Sequence, residues 1–256
     1  MGMLRSLNQL HGYSVHATDG DIGKVCEFYF DDIRWGIRYL VVSLGRWLPG
    51  RKVLISPTAL GEPDWEKRIL PVSITKAQVE SSPDVDTDMP VARQHEAELH
   101  RHYGWELYWS AEALAGAPFV GPLDDPASSP PETVNKGGKP FDAHLRTTRV
   151  ITGFHIEAVD GVIGHVADFI VDDACWCIRY LVVDTRSWIP GRQVLVAPEW
   201  VERVSWETST VYLDNTRKEV KNCPEFTPSS PVNRRYEECL YDYYGRPKYW
   251  RDGLTF

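Results

Sequence analysis

Short apolar runs separated by turn residues dominate the chain. In its first half the alternating run GYSVHA leads to Asp19-Gly20, and the apolar run IGKVCEFYF that follows ends at Asp31-Asp32. This order predicts a β-hairpin, because Asp-Gly favours the tight turn between two antiparallel strands. The runs IRYLVVSL, RKVLISP and EKRILPVS predict three further strands, since they are short, rich in β-branched residues and bounded by turn residues.

The same pattern returns 141 positions later. From Gly20 to Pro57 of the first copy the two copies align without a gap, and 21 of these 38 residue pairs are identical. Weaker similarity continues to Trp109 of the first copy and Trp250 of the second. A repeat of this length that occurs twice indicates a duplicated domain, because solenoid repeats are shorter and more numerous.

The repeat predicts two domains and a connecting segment. One domain is expected over residues 4–109 and the other over residues 144–250. Each is long enough to bury a core of its own. Residues 110–143 are rich in Pro, Gly, Ala and Ser and carry no periodic apolar pattern, which is typical of a linker.

Each copy also carries helical signals after its strands. Thr75 followed by Gln78 forms a capping-box pattern, which predicts a short helix. Residues 91–102 and their counterparts in 231–245 predict a longer helix, and an aromatic tail, YGWELYW or YGRPKYW, follows in each copy. The expected fold is therefore all-β dominated, with two tandem small β-barrels, each followed by short helices and an aromatic tail.

Composition narrows the classes of partner and the cellular location. The chain has 28 basic and 36 acidic residues and a formal net charge of −8. It has no Lys/Arg cluster, so nucleic acid is an unfavourable partner. No run approaches the ~20 apolar residues that span a bilayer, and the N-terminus lacks a signal-peptide core. Five cysteines, none at equivalent positions in the two copies, suit a reducing compartment. A soluble, cytoplasmic protein is expected.

The paired aspartates in each copy do not form a promising catalytic site. Asp31 and Asp32 are adjacent in a predicted strand, so their side chains point to opposite faces and do not converge on one substrate atom. Arg38 and Arg179 lie in the most apolar strand of each copy, where an unpaired guanidinium would be costly. We therefore expect internal ion pairs between these arginines and the neighbouring aspartates rather than an anion-binding site.

Three patterns were weighed as metal sites, and none is convincing. The segment DVDTD, residues 84–88, spaces carboxylates like the start of an EF-hand, but Met89 stands where glycine is needed. Three histidines between positions 95 and 102 do not share a helix face. Cys175 and Cys177 share a strand face, but further ligands are missing and buried free thiols are the better interpretation. No metal and no cofactor are expected.

The repeated corner and the aromatic tails supply the candidate interaction residues. Pro49-Gly50 fits the central pair of a type II turn, with Trp47 before it. A tryptophan there either covers its own core or forms a binding hot spot, for which Trp and Arg are enriched. The tails would leave an apolar patch unless they pack on their own domain or across an interface. The candidates are Trp47, Arg51, Trp105, Trp109, Trp188, Arg192, Tyr244 and Trp250.

The repeated motifs resemble those of a known family. The segments DGDIGKV, RYLVV and VLISP, repeated as DGVIGHV, RYLVV and VLVAP, resemble the PRC-barrel family. That family is similar to the cytoplasmic domain of the photosynthetic reaction-centre H subunit and to the C-terminal domain of the bacterial ribosome maturation factor. The resemblance implies a small all-β barrel that acts in assembly or interaction. It implies no active-site residues, because the family has no common catalytic motif.

Two functional hypotheses follow from these patterns. The first is a non-enzymatic interaction or assembly module that binds a protein partner, or a second copy of itself, through its barrels or aromatic tails. The alternative is a small-ligand or metal-binding sensor with a site between the two barrels. The chain lacks the GxSxG, P-loop, GxGxxG and CxxC motifs, so it is not expected to be an enzyme.

Overall fold

The structure is a computed structural model and describes residues 2–45, 47–83, 93–106, 133–134, 140–141, 145–185, 192–228 and 230–250. The strands are β1 (Leu4–Ser6), β2 (Ser14–Ala17), β3 (Gly20–Asp31), β4 (Gly36–Ser43), β5 (Lys52–Ile55), β6 (Ile69–Pro71), β7 (Thr133–Val134), β8 (Pro140–Phe141), β9 (Leu145–Thr147), β10 (His155–Ala158), β11 (Gly161–Asp172), β12 (Cys177–Asp184), β13 (Gln193–Val196), β14 (Val201–Ser205) and β15 (Thr210–Leu213). The helices are α1 (Leu7–Leu10), α2 (Lys76–Glu80), α3 (Arg93–Tyr103), α4 (Thr148–Ile151), α5 (Arg217–Asn222) and α6 (Arg234–Tyr244). Strands hold more residues than helices, so the predicted β-dominated class is confirmed.

The chain divides into two compact units, and each unit takes one short strand from the other sequence repeat. The first unit is Leu10–Thr148, and the second unit combines Met1–Gln9 with Arg149–Phe256. Strand β1 belongs to the first repeat but lies in the second unit, whereas β9 belongs to the second repeat but lies in the first unit. The division into units therefore differs from the division into sequence repeats at these two strands.

The long strand β3 organises the first unit. The predicted hairpin is present, with β2 antiparallel to the first part of β3. Strand β4 pairs antiparallel with β3 and with β5, and β6 pairs parallel with β2. Strand β9 pairs antiparallel with the last part of β3, Tyr29–Asp31. Strands β7 and β8 pair only with each other among the described residues.

The second unit repeats this arrangement around β11. Strand β10 forms the hairpin with β11, β12 pairs with β11 and β13, and β15 pairs parallel with β10. Strand β14 extends the sheet beyond β15, and β1 pairs with Ile170–Asp172 of β11. Within the described residues no ladder joins β13 to β14. The ladders alone therefore leave each sheet open.

Apolar side chains on the central strands form the core of each unit. In β4 every residue is buried except Arg38 and Ser43, which explains its nearly continuous apolar sequence. The expected ion pairs are present, because Arg38 lies 3.4 Å from Asp31. Arg179 lies 3.6 Å from Asp172 in the second unit. These arginines are thus neutralised at the ends of otherwise apolar strands.

Local capping residues mark where these helices begin and where α6 ends. The Thr75 and Gln78 capping box begins α2, and an equivalent box formed by Thr216 and Glu219 begins α5. Asn233 caps the start of α6, and Gly245, with φ of 62°, ends it in the left-handed region that favours glycine. Among the helices in the described ranges, none is both long and apolar enough to cross a membrane.

Candidate functional site

The predicted corner around Trp47 has the expected geometry. The Arg51 amide donates to the Leu48 carbonyl at 3.1 Å, and Gly50 adopts a φ of 81°, as a type II turn requires. The half-buried Trp47 ring lies 4.9 Å from the ammonium of Lys76, a distance suited to a cation–π contact. Its counterpart Trp188 lies outside the described residues, as does Trp109.

Two repeated arginines tie the strand after each corner to the end of a short helix. Arg51 donates from Nη1 to the Glu80 carbonyl and from Nη2 to the Ser82 carbonyl, each at 2.5 Å. Arg192 donates in the same way to the carbonyls of Lys221 and Cys223. These carbonyls lie at or just past the C-terminal ends of α2 and α5, where a positive charge is favourable. The structure thus places both arginines in internal bonds.

The described parts of the aromatic tails pack within their own units. In the first unit the Trp105 ring stacks on Tyr103, with ring centroids 4.3 Å apart. In the second unit Trp250 contacts Tyr241 at 5.1 Å, and Tyr244 lies 4.8 Å from Trp200. The sequence predicts such packing as one of two ways to cover these rings.

A buried carboxylate clasp joins the last helix of each unit to its central strand. We define the first clasp as Tyr39, Glu96 and His100, all at most 3% exposed. The Tyr39 hydroxyl donates to Glu96 Oε1 at 3.0 Å and lies 2.7 Å from His100 Nε2. The clasp therefore fixes α3 against β4 through groups that water does not reach.

The second clasp, Tyr180, Glu237 and Tyr249, occupies the equivalent place in the second unit. Glu237 Oε1 accepts from the Tyr180 hydroxyl at 2.7 Å and from the Tyr249 hydroxyl at 2.8 Å. Its Oε2 lies 2.9 Å from Arg234 Nη1. Burial raises the pKa of Glu237, while the two phenols and Arg234 oppose that shift by stabilising its charge.

Sequence analysis missed both clasps, although a signal was present. The tyrosine and glutamate are 57 positions apart in both copies. Glutamates on a polar helix are usually interpreted as solvent-exposed. Tyr39 and Tyr180 lie in strongly apolar runs, where their rings are interpreted as core residues and not as hydrogen-bond donors. The position-by-position alignment of the repeat could have identified these residues, since both pairs recur 141 positions apart.

The pKa of His100 makes the first clasp sensitive to acid. Burial lowers the pKa of this imidazole, so the folded unit binds fewer protons than the unfolded chain. Its contribution to stability is therefore complete above about pH 6.5 and is lost as the pH falls through the lowered pKa. We expect the stability advantage of the wild type over His100→Phe to shrink between about pH 7.5 and about pH 5.5. Urea denaturation of both proteins measures this, and an unchanged difference would contradict it.

The hairpin tip of the second unit exposes two valines that the first unit lacks. Val159 is 65% exposed and Val162 is 51% exposed. Their counterparts, Thr18 and Asp21, are polar. The intervening Asp160 accepts from the Arg217 amide at 2.7 Å, so the tip is anchored to the start of α5. This valine tip, defined as Val159 and Val162, is an apolar projection held in a fixed position.

The three sequence patterns that were considered as metal sites, and judged unconvincing, have different outcomes. Residues 84–88 and the His95 side chain lie outside what the structure describes. Within the described residues no group of three or more His, Cys, Asp or Glu is arranged to hold a metal ion. Cys175 and Cys177 are half-buried, and Arg179 Nη2 lies 3.6 Å from Cys175 Sγ. The alternative of a ligand or metal sensor stays a prediction.

Neither a scan against models of protein families nor a search of curated proteins found a match to the chain.

Proposed function

We propose that the chain is a non-enzymatic protein-interaction module built from two barrel-like repeats of the PRC type. The valine tip is the observation that carries this proposal, because two exposed valines flank the turn in only one of two otherwise equivalent hairpins. Isolated exposed apolar residues are ordinary, but a paired apolar projection on a rigid turn suits contact with a protein surface.

The repeated polar groups support a structural use for the remaining candidates. In both units the repeat places Arg against the end of a short helix, and a buried Glu of the last helix against a tyrosine of the neighbouring strand. The two copies thus share internal bonds and differ in what they expose at the hairpin tip. Surfaces that diverge on a shared scaffold suit a function that resides in binding.

Corner turns support barrel-like closure in each unit. In the second unit the turn Pro198–Trp200 leads β13 directly into β14, which begins at the far end of the strand order. In the first unit, Leu60 forms an antiparallel bridge with Val72 just after the corresponding turn. A covalent corner at the point where the ladders end is a device of small orthogonal barrels. We therefore propose barrel architecture for both units.

The charge and the thiols support the class of partner and the location. A net charge of −8 favours a protein surface, apolar or basic, over nucleic acid. Among the described residues none of the five cysteines forms a disulfide, which suits the reducing cytoplasm.

Exchanging the valine tip for the residues of the first repeat tests this function. We expect Val159→Thr combined with Val162→Asp to fold normally, because the first repeat carries these residues in an equivalent hairpin. Affinity capture from the source cell with wild-type and variant chains should show at least one protein whose recovery falls about tenfold or more, the change expected when about 1.4 kcal/mol of binding is lost.

The control variant carries Thr18→Ala and Asp21→Ala at the polar tip of the first unit. It should retain the wild-type set of captured proteins. An identical set for the valine-tip variant and the wild type would reject the valine tip as the binding surface.

A further inference from the structure

The strands that the two repeats exchange dock in the same register. Strand β1 lies along the end of β11, and β9 lies along the end of β3. The paired residues are Leu4 with Asp172, Arg5 with Val171, Ser6 with Ile170, Leu145 with Asp31, Arg146 with Phe30, and Thr147 with Tyr29. The residues of β9 lie 141 positions after those of β1, and the β3 residues that they pair with lie 141 positions before those of β11. The two docking edges are therefore equivalent.

An arginine–aspartate pair marks each docked strand. Arg5 Nε lies 2.7 Å from Asp173 Oδ2, and both side chains are largely buried, 18% and 14% exposed. Arg146 Nε lies 3.3 Å from Asp32 Oδ2 in the first unit. The second aspartate of each Asp-Asp pair thus receives the incoming strand, while the first pairs with the arginine of its own sheet.

At each docking edge a hydroxyl group donates a further hydrogen bond to an acidic side chain of the acceptor strand. Ser6 Oγ donates to Asp168 in the second unit. In the first unit Thr148 Oγ1 donates at 2.6 Å to Glu27, which is the counterpart of Asp168. Ser6 lies within its strand, whereas Thr148 is the residue after Leu145–Thr147. Each edge therefore holds a Leu-Arg strand through main-chain bonds and one ion pair, with a hydroxyl supplied by the strand or by the next residue.

None of these contacts depends on which chain supplies the strand. When the donor strand and its acceptor edge are the same in a closed monomer and in an exchanged dimer, their contact energies nearly cancel. The equilibrium between monomer and dimer then depends on two concentrations: the effective concentration of the strand within its own chain, and the concentration of other chains in solution. The four-residue helix α1 joins β1 to the first unit, and short connections favour exchange between molecules.

We propose that the end of β11, with Asp173, is a docking site for the Leu4–Ser6 strand of a second copy of this chain. This inference rests on the proposed interaction function and names a second copy as one partner. Two chains that exchange β1 reciprocally satisfy both edges and form a closed dimer, since each gives and receives the same strand. β-Augmentation of this kind derives its affinity from main-chain bonds and its specificity from alternate side chains.

Complementary charge reversals in the full chain test the exchange. Arg5→Asp gives a strand that no longer fits its own Asp173, and Asp173→Arg gives an edge that no longer fits its own Arg5. When the two variants are mixed, each strand fits the edge of the other molecule. Light scattering should then show a species of twice the 29.2 kDa chain mass, at a fraction at least about tenfold above that of either variant alone.

The double variant Arg5→Asp/Asp173→Arg is the matched control. It restores the pair within one chain, as in the wild type, and should therefore form the dimer only to the extent that the wild type does at the same concentration. If the single variants do not fold alone, they are refolded together from denaturant, and recovery of the dimer supports exchange. A mixture with no more dimer than either single variant alone, a double variant that dimerises as much as the mixture while the wild type stays monomeric, or failed co-refolding beside a folded double variant would overturn the proposal.

The result is separable from the test of the valine tip. The charge reversals are expected to yield the same dimer when Val159→Thr and Val162→Asp are also present. Loss of the dimer with the capture result intact would remove only the second copy as a partner. An identical captured set for the valine-tip variant and the wild type, with the dimer intact, would remove only the valine tip.

Discussion

Replacing Gly164 by alanine is expected to lower the free energy of unfolding by about 3 kcal/mol. A Cβ at this position would lie less than 3.0 Å from the Asp184 carbonyl oxygen of the adjacent strand. Real Cβ atoms essentially never approach another atom so closely. That atom belongs to the backbone at the β11–β12 ladder, so it cannot rotate away as a flexible side chain would. Relief requires the two strands to separate locally, and main-chain bonds are lost.

Urea denaturation followed by tryptophan fluorescence measures the effect of Gly164→Ala. Gly36→Ala is the matched control, because the nearest atoms to a Cβ there are the end of the Arg38 side chain at 3.5 Å. The second repeat already holds Cys177 at this position. The control should stay within about 0.5–1 kcal/mol of wild type. A wild-type unfolding midpoint for Gly164→Ala would show that β11 and β12 are not this close.

Removing the buried carboxylate of the second clasp is expected to lower the free energy of unfolding by a similar amount. Glu237→Ala deletes the acceptor of two phenol hydroxyls and the partner of Arg234, and it leaves a gap beneath α6. Hydrogen bonds to a charged group each contribute about 1.5–3 kcal/mol, and the broken network should cost about 3 kcal/mol in total. Glu238→Ala, one residue further along the helix and outside the clasp, should change stability by no more than about 0.5 kcal/mol. Equal losses for the two variants would contradict this role of Glu237.

The Glu237→Gln variant separates charge from shape. Because burial raises the pKa of Glu237, the folded protein binds more protons than the unfolded chain above about pH 4.3. The part of the stability that is linked to protonation of this carboxyl is therefore greatest below that pH and is lost as the pH rises through the raised pKa. Glutamine does not titrate, so the stability of the wild type relative to Glu237→Gln should fall over this range. A constant difference would show that the carboxyl titrates alike in both states.

Features that depend on a few neighbouring residues could be predicted from the sequence. The hairpin at Asp19-Gly20, the type II turn at Pro49-Gly50 and the capping box at Thr75 each require only local backbone preferences. The structure shows all three. The β-dominated class follows for the same reason, since short β-branched runs between turns repeat along both copies.

The placement of β1 and β9 in the unit of the other repeat could not be predicted, because the two copies have similar residues at these positions. Leu-Arg precedes a hydroxyl residue in both copies, at Leu4 and at Leu145, and each copy carries the same Asp-Asp pair. Either strand therefore suits either edge by sequence, and only tertiary structure selects between them. The clasps were missed for a related reason. The burial of Glu96 and Glu237 depends on how a polar helix packs against a strand that is distant in the sequence.

The position of β1 in the second unit has a consequence for biosynthesis. Arg5 leaves the ribosome 168 residues before its partner Asp173. At about 5–20 residues per second, it remains without that partner for about 10–30 seconds. On a messenger that carries several ribosomes, the waiting strand of a younger chain is near the finished edge of an older one. Nascent chains are thus the setting in which neighbouring molecules have the longest opportunity to pair.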